Sequence, residues 1–529
     1  MARIGGRTLL VPLGGVAIIM LALACGGPHS GTPCSTRFGW AVRRALLWLG
    51  AWCGISVGQG PDSCAGKCGS WSERCWCNDA CERYQSCCAD YHSACGESPG
   101  KCPRCAGYSC DEWIAWKSSK YTCDNLQRDW GCNCSGCQRC SMPARRASLV
   151  QLDSAKHPHA RCLDGSMAGY YLREGTEDRY LLFFEGGGWC YDQNCVSPAR
   201  EGTLLDCAKR AQGRLGSSSS WSSFMDESYL TGMLSANPKD NPVFHNWSMV
   251  YLPYCDGTSW TGDAVVGDLH FRGRAILNAV MTELEESSGI RGAAQVVISG
   301  GSAGASAVYY HAEKLAQRLS LAKVGGEVLA LPDAGFFLDL PDKSGASCWP
   351  AQMRSLFNVA NAYDSLDAGC LARFPEEKWK CMFPQYYIDL FSVRTLAINS
   401  LYDSSELEYT LCLGCCVGES RCQSSPSCRG NELSLFKALR EEHIRAWAPL
   451  VNRSGSGVWA PACVDHTMSA RRWTESSWEV PAGSGNTQAA VVQRWLAKED
   501  IDGRGFNYQD SVAWPDNSPC AAMSRDHWL

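Results

Sequence analysis

Ser302 sits where an apolar run meets a stretch of small residues, Val296-Val297-Ile298-Ser299-Gly300-Gly301-Ser302-Ala303-Gly304-Ala305. A Gly-x-Ser-x-Gly turn between a strand and a helix can make an ordinary hydroxyl a nucleophile. The tight turn exposes the hydroxyl, and glycines on both sides avoid a Cβ clash. The N–H of Ala303 then falls at a helix N-terminus, where donors lack intrahelical partners and can hold an oxyanion. The same pattern also occurs in plain strand-to-helix loops. The apolar strand before it and the small-residue helix start after it favour the chemical reading.

A serine nucleophile needs a base, and the base needs an orienting acid. The second half of the chain offers His270, His311, His443, His466 and His527. His311 falls within the helix after the turn, His443 is mid-helix, and His527 is near the end of the chain. His466, in the loop Pro461-Ala462-Cys463-Val464-Asp465-His466-Thr467, is the best-placed base. Two aspartates end apolar runs and are candidate acids: Asp333 and Asp403. Either could instead cap a turn. Asp465 faces away, because neighbours on an extended chain point to opposite sides. A second oxyanion donor comes from Glu185-Gly186-Gly187-Gly188-Trp189-Cys190, whose glycines expose bare N–H groups after a strand. Glu185 itself reads as a buried structural carboxylate rather than an acid catalyst.

The elements that must position these residues alternate. Strands are expected at 179–185, 248–254, 295–299, 328–331 and 395–401. Helices are expected at 275–286, 305–319, 432–447 and 488–498. This predicts an α/β fold, a sheet of the α/β-hydrolase kind with helices on both faces, and a site beyond the strands' C-terminal ends.

The chain has 529 residues, a net charge of −5 and 34 cysteines. The length calls for more than one domain. No basic tract stands out, which argues against nucleic acid as a partner. The cysteine density implies disulfides and an oxidising compartment. Arg3 and Arg7 precede an apolar run over 9–24, which reads as a secretory signal peptide. A second run over 45–57 is the signal core behind an over-long start, part of a two-step leader, or a membrane anchor; at that length the anchor is the least favoured. Asn246-Trp-Ser, Asn452-Arg-Ser and, less favourably, Asn133-Cys-Ser are glycosylation sequons.

Cysteine spacing divides the chain into a leader (1–60), one cysteine-rich module (61–98), a second (99–141), a loose linker (142–160) and a large domain (161–529). Cys102, Cys105, Cys110, Cys123, Cys132, Cys134, Cys137 and Cys140 form an even set in the second module. Disulfides are the favoured reading. Zinc is the rival, because Cys102-x-x-Cys105 and Cys137-x-x-Cys140 have ligand spacing. Trp113, Tyr121 and Trp130 read as packing residues. Cys412 to Cys428, with five cysteines, reads as a stapled flap.

Cys64, Cys68, Cys75, Cys77, Cys81, Cys87, Cys88 and Cys95, with Tyr84-Gln85-Ser86 before the paired cysteines, resemble a somatomedin B domain. The resemblance implies a binding module for an extracellular protein, although Arg83 stands where a second tyrosine is common. The large domain resembles the pectin acetylesterase and Notum family of carboxylesterases. The resemblance rests on Phe184-Glu185-Gly186-Gly187-Gly188-Trp189-Cys190, Tyr254-Cys255-Asp256-Gly257, Leu269-His270-Phe271-Arg272-Gly273, Gly300-Gly301-Ser302-Ala303-Gly304, Asp333-Ala334-Gly335-Phe336-Phe337 and Pro461 to His466. It implies Ser302 as nucleophile, Asp403 as acid, His466 as base, and Gly188, Trp189 and Ala303 as oxyanion donors, with no metal or organic cofactor. Gly301 replaces a cysteine common in plant members, and Ala305 replaces a glycine. Three functions follow as expectations. The first is a secreted esterase removing O-acetyl groups from a polysaccharide. The second is a Notum-like deacylase of a lipidated protein. The third is a non-catalytic binding protein that uses its cysteine modules.

Overall fold

The computed structural model describes residues 146–191, 205–416, 428–500, 505–514 and 516, and parts of 102–137. The leader and the somatomedin-B-like cysteines Cys64 to Cys95 lie outside these residues, as do Tyr121, Cys123 and Cys140.

Nine strands build one sheet. They are β1 (Ser148–Gln151), β2 (Gly169–Arg173), β3 (Arg179–Phe184), β4 (Ser248–Leu252), β5 (Gln295–Gly301), β6 (Glu327–Asp333), β7 (Leu396–Ile398), β9 (Gly457–Ala460) and β11 (Phe506–Gln509). Their order is β11-β9-β7-β6-β5-β3-β4-β2-β1. From β4 to β11 all neighbours are parallel, and β1 and β2 add an antiparallel edge. The segment 142–160, expected as a linker, therefore contributes a strand: β1 pairs with β2 in register Leu149 to Tyr171. Its polar residues hid it, as edge strands carry charge and polarity on their open side.

The central strands read as near-continuous apolar runs because both faces are covered. Tyr180, Leu182, Phe184, Val296 and Ile298 face one core, shared with helices α1 (Gly273–Ser287), α2 (Ala303–Leu319), α3 (Cys348–Val359) and α4 (Gly430–Ala446). Leu181, Phe183, Val297, Leu329 and Leu331 face the other, which takes Val491, Val492 and Trp495 of α5 (Gln488–Ala497). The period of two along each strand and of 3.6 along each helix thus meet in two layers. A separate parallel pair, β8 (Tyr402–Asp403) with β10 (Val464–Asp465), extends beyond the ends of β7 and β9.

Among the described residues, three disulfides staple the second cysteine module. Cys102 bonds Cys137, Cys105 bonds Cys132 and Cys110 bonds Cys134. These thiols are consumed in covalent pairs, so the zinc reading fails. Trp113 packs there, its indole N–H on the Cys105 carbonyl at 2.8 Å. Trp130 packs its ring against Trp113 at 6.3 Å while 54% of its surface stays exposed. In the large domain Cys162 bonds Cys255, Cys190 bonds Cys207 and Cys370 bonds Cys381. No helix among the described residues is long and apolar enough to cross a membrane.

Ile298, central in the sheet and without exposed surface, gives a direct test of this core. Ile298→Ala is expected to cost about 2–5 kcal/mol, seen as a lower urea midpoint. Val265→Ala, on an exposed residue, is expected to change stability by under about 0.5 kcal/mol.

Candidate active site

Ser302 follows β5 directly and precedes α2, with φ 55° and ψ −125°. That left-handed backbone is strained for a residue with a Cβ and persists only where the surroundings enforce it. Three contacts enforce it. The Ser302 N–H donates to the Asp333 carbonyl at 2.9 Å, holding the turn to β6. A Cβ on Gly304 would lie 2.1 Å from the Phe184 carbonyl, so only glycine lets α2 begin this close to β3. A Cβ on Gly186 would lie 2.4 Å from the Gly301 carbonyl and 3.0 Å from Ser302 Cβ. The glycine loop 186–188 is therefore pressed against the serine turn. Gly188 and Trp189 follow at once, both partly exposed, and Ala303 is buried at the first turn of α2.

The pair β8/β10 brings the acid and base together. Its register sets Tyr402 against Val464 and Asp403 against Asp465, so His466 emerges beside Asp403. His466 Nδ1 and Asp403 Oδ2 are 2.8 Å apart. The other Asp403 oxygen accepts the N–H groups of Ser405 at 2.9 Å and Glu406 at 3.2 Å. With a carboxylate facing Nδ1, that nitrogen carries the proton and Nε2 is left as the acceptor. The next residue, Thr467, reaches the serine turn: a Cβ on Gly301 would be 3.3 Å from Thr467 Cγ2.

Asp333, the rival acid, has a different task. Its carboxylate accepts the N–H of Met468 at 3.1 Å, and the N–H and hydroxyl of Ser469 at 2.7 and 2.6 Å. It fixes the chain just after His466. Burial pushes its pKa up, against the pull of those donors. Asp465 points away as expected, toward its own neighbour's N–H and Arg471. Glu185 is the structural carboxylate foreseen: it pairs with Arg214 and accepts the Tyr254 N–H at 2.9 Å. His311 is buried on α2, its Nε2 3.2 Å from the Ser259 carbonyl, and burial pushes its pKa down to about 3. His443 is buried 2.6 Å from Glu406. Burial opposes its charged form, but the Glu406 carboxylate outweighs that and raises its pKa. Neither histidine is placed as a base for Ser302.

Sequence reasoning missed an aromatic cluster beside this constellation. Trp189 lies 5.2 Å from Phe337 and 5.2 Å from Trp349, ring to ring. Phe337 is also 6.1 Å from His466, and Tyr191 meets Trp349 at 6.0 Å. Phe337 and Trp349 are 6% and 2% exposed. The double aromatic at 336–337 signals such packing; Trp349, on a remote helix, gives no sequence signal. Trp189 also lines a cleft of about 390 Å³, with Asp206, Lys209, Arg210, Arg214 and Leu215, and with Cys190 and Gly213. Among the described residues, the cluster with metal-ligand spacing is Cys415, Cys416 and Cys428, and Cys415 is bonded to Cys428. The stapled flap is thus seen at its two ends; residues 417–427 lie outside the described residues.

A family model described as pectinacetylesterase matches residues 140–521, and one for the somatomedin B domain matches 62–98. Pectin acetylesterase 5 of Arabidopsis thaliana is 30% identical over 365 residues, covering 67% of this chain and 81% of the relative. Pectin acetylesterase 11 of the same plant is 27% identical over 396 residues, 72% of this chain and 95% of the relative. The palmitoleoyl-protein carboxylesterase NOTUM of Mus musculus is 28% identical over 394 residues, 69% of this chain and 71% of the relative.

The turn beside the site carries a titratable group. Asp256 Oδ2 accepts the N–H groups of Thr258 and Trp260, each at 3.1 Å, and burial pushes its pKa up to about 6. A carboxyl raised in the fold contributes stability below its unfolded pKa near 4 and loses it as pH rises to about 6. Asp256→Asn removes that titration. Thermal unfolding across pH is expected to show the wild-type Tm falling relative to Asp256→Asn between pH 4 and 7. The difference is on the order of 2–3 kcal/mol and flat above pH 7.

Proposed function

The chain belongs to the pectin acetylesterase family of carboxylic ester hydrolases, and we propose that it removes O-acetyl groups from a polysaccharide with Ser302, His466 and Asp403 as its triad. His466 Nε2 takes the proton of Ser302 Oγ as that oxygen attacks the acetyl carbonyl carbon. The carbonyl oxygen becomes an oxyanion on the N–H groups of Gly188, Trp189 and Ala303. Asp403 holds the imidazole in its Nδ1–H form and stabilises the imidazolium. As the tetrahedral intermediate collapses, the C–O bond to the sugar breaks and the sugar oxygen takes the proton from His466. Water, deprotonated by His466, then attacks the acetyl-serine; the bond to Ser302 Oγ breaks, His466 returns the proton to that oxygen, and acetate leaves. The 2.8 Å contact of His466 with Asp403, and the glycine loop pressed on the serine turn, support this assignment.

Acetate rather than a long acyl chain is favoured by one observation. Beside Trp189, Phe337 and Trp349 pack against each other at 5.8 Å, both buried, and Phe337 also meets His466. A fatty acyl chain would have to displace close-packed aromatic rings, at the cost of lost dispersion contacts. The cleft lined by Trp189 also presents Asp206, Lys209 and Arg210, which suits a hydroxylated or acidic sugar. The disulfides of both regions suit an oxidising, extracellular setting. On this reading the somatomedin B segment docks the enzyme on an extracellular protein.

A series of p-nitrophenyl esters tests the reading. Acetate is expected to be turned over at least tenfold faster, by kcat/KM, than octanoate. Preference for octanoate or longer would replace it with the Notum-like deacylase. Ser302→Ala is expected to lower kcat by 10³-fold or more, and unchanged turnover would refute the serine mechanism. Trp349→Ala is expected to narrow the acetate-to-octanoate ratio, because it empties the volume behind Trp189.

A further inference from the structure

Ser259 has no exposed surface and lies in the turn after β4. Its backbone is left-handed, φ 52°, and so is that of Trp260, φ 57°. Serine enters this region at a cost and stays only where neighbours impose it. Asp256 imposes it, gathering the N–H groups of Thr258 and Trp260 and the Thr258 hydroxyl on one oxygen.

The conformation directs every polar atom of Ser259 at the site's supports. Its N–H donates to the Tyr254 hydroxyl at 3.0 Å. Its carbonyl accepts from His311 Nε2 at 3.2 Å, two turns along α2. His311 is neutral, since burial holds its pKa near 3, so Nε2 carries its proton. The Ser259 hydroxyl donates to the Ala303 carbonyl at 2.7 Å and accepts the Trp189 indole N–H at 2.8 Å. Trp189, in the glycine loop, and Ala303, at the start of α2, lie more than a hundred residues apart, and Ser259 Oγ bonds to both.

We infer that Ser259 is a positioning residue that sets the spacing of the oxyanion donors by clamping the Trp189 loop to the first turn of α2. This rests on the assignment of the Trp189 and Ala303 N–H groups to the oxyanion. Donors aimed at a developing charge act only if their geometry is fixed beforehand. The hydroxyl has the valence for both bonds, one as donor and one as acceptor. Its loss takes from the part-buried indole N–H its acceptor, and the loop loses its tie to α2.

Ser259→Gly tests this without backbone strain, because glycine accepts φ near 52° freely. Acetyl ester kinetics are expected to show kcat reduced about 10- to 100-fold, KM within about threefold of wild type, and Tm within a few degrees. Trp189→Phe, which keeps the ring and removes the indole donor, is expected to lower kcat as well. The double variant is expected to be no slower than Ser259→Gly, since both remove the same clamp. Wild-type kcat in Ser259→Gly, or losses that multiply in the double variant, would overturn the inference. Ser302→Ala run in parallel separates the two levels. If it is inactive while Ser259→Gly keeps full kcat, only the clamp is refuted. If it is active, the serine mechanism itself fails.

Discussion

Asp333 joins the two halves of the site through one buried residue. Its carbonyl holds the Ser302 N–H, and its carboxylate holds the backbone of Met468 and Ser469 just beyond His466. A buried carboxylate is costly unless donors surround it. Here two N–H groups and a hydroxyl offset that cost. Because β6 lies between β5 and β7 in the sheet, its last residue is the natural place from which to reach both the serine turn and the histidine loop. The serine turn and the chain after His466 both take their position from this arrangement.

Strain is concentrated there too. Ser259, Trp260, Ser302, Ala334 and Thr467 all carry positive φ; Ser302, Ala334 and Thr467 follow the ends of β5, β6 and β10, and Ser259 and Trp260 lie in the turn after β4. Each would relax if isolated. Together they are held by the sheet register, by Asp256 and by Asp333, so the rigid parallel sheet enforces a loop geometry that no loop could keep alone. In the proposed mechanism, donors and an imidazole held in this way need no rearrangement when charge develops.

Much of this was legible in residue order. The apolar runs at 179–185 and 295–299 became β3 and β5 with small shifts of boundary, because fully buried parallel strands leave an unbroken hydrophobic signature. The glycines around Ser302 announced a close approach, and Gly186 and Gly304 show what is approached. The edge strand β1 was read as linker, since its exposed side carries no pattern. The choice between Asp333 and Asp403 stayed open to spacing alone, because both end strands. Their separation came from the β8/β10 register, which is a pairing across some sixty residues.

The sequence by itself determined the local chemistry: a serine on a turn, glycines that admit a neighbouring chain, a histidine in a loop, and cysteines destined for bridges. These follow from properties of single residues and their immediate neighbours. Only the tertiary structure decided that Asp403 faces His466, that Asp333 braces the loop after it, that Ser259 bonds to both Trp189 and Ala303, and that Phe337 and Trp349 pack against Trp189. Those outcomes depend on contacts between segments far apart in the chain. Packing of the whole sheet and its helices fixes them, and no local pattern encodes which distant side chain arrives.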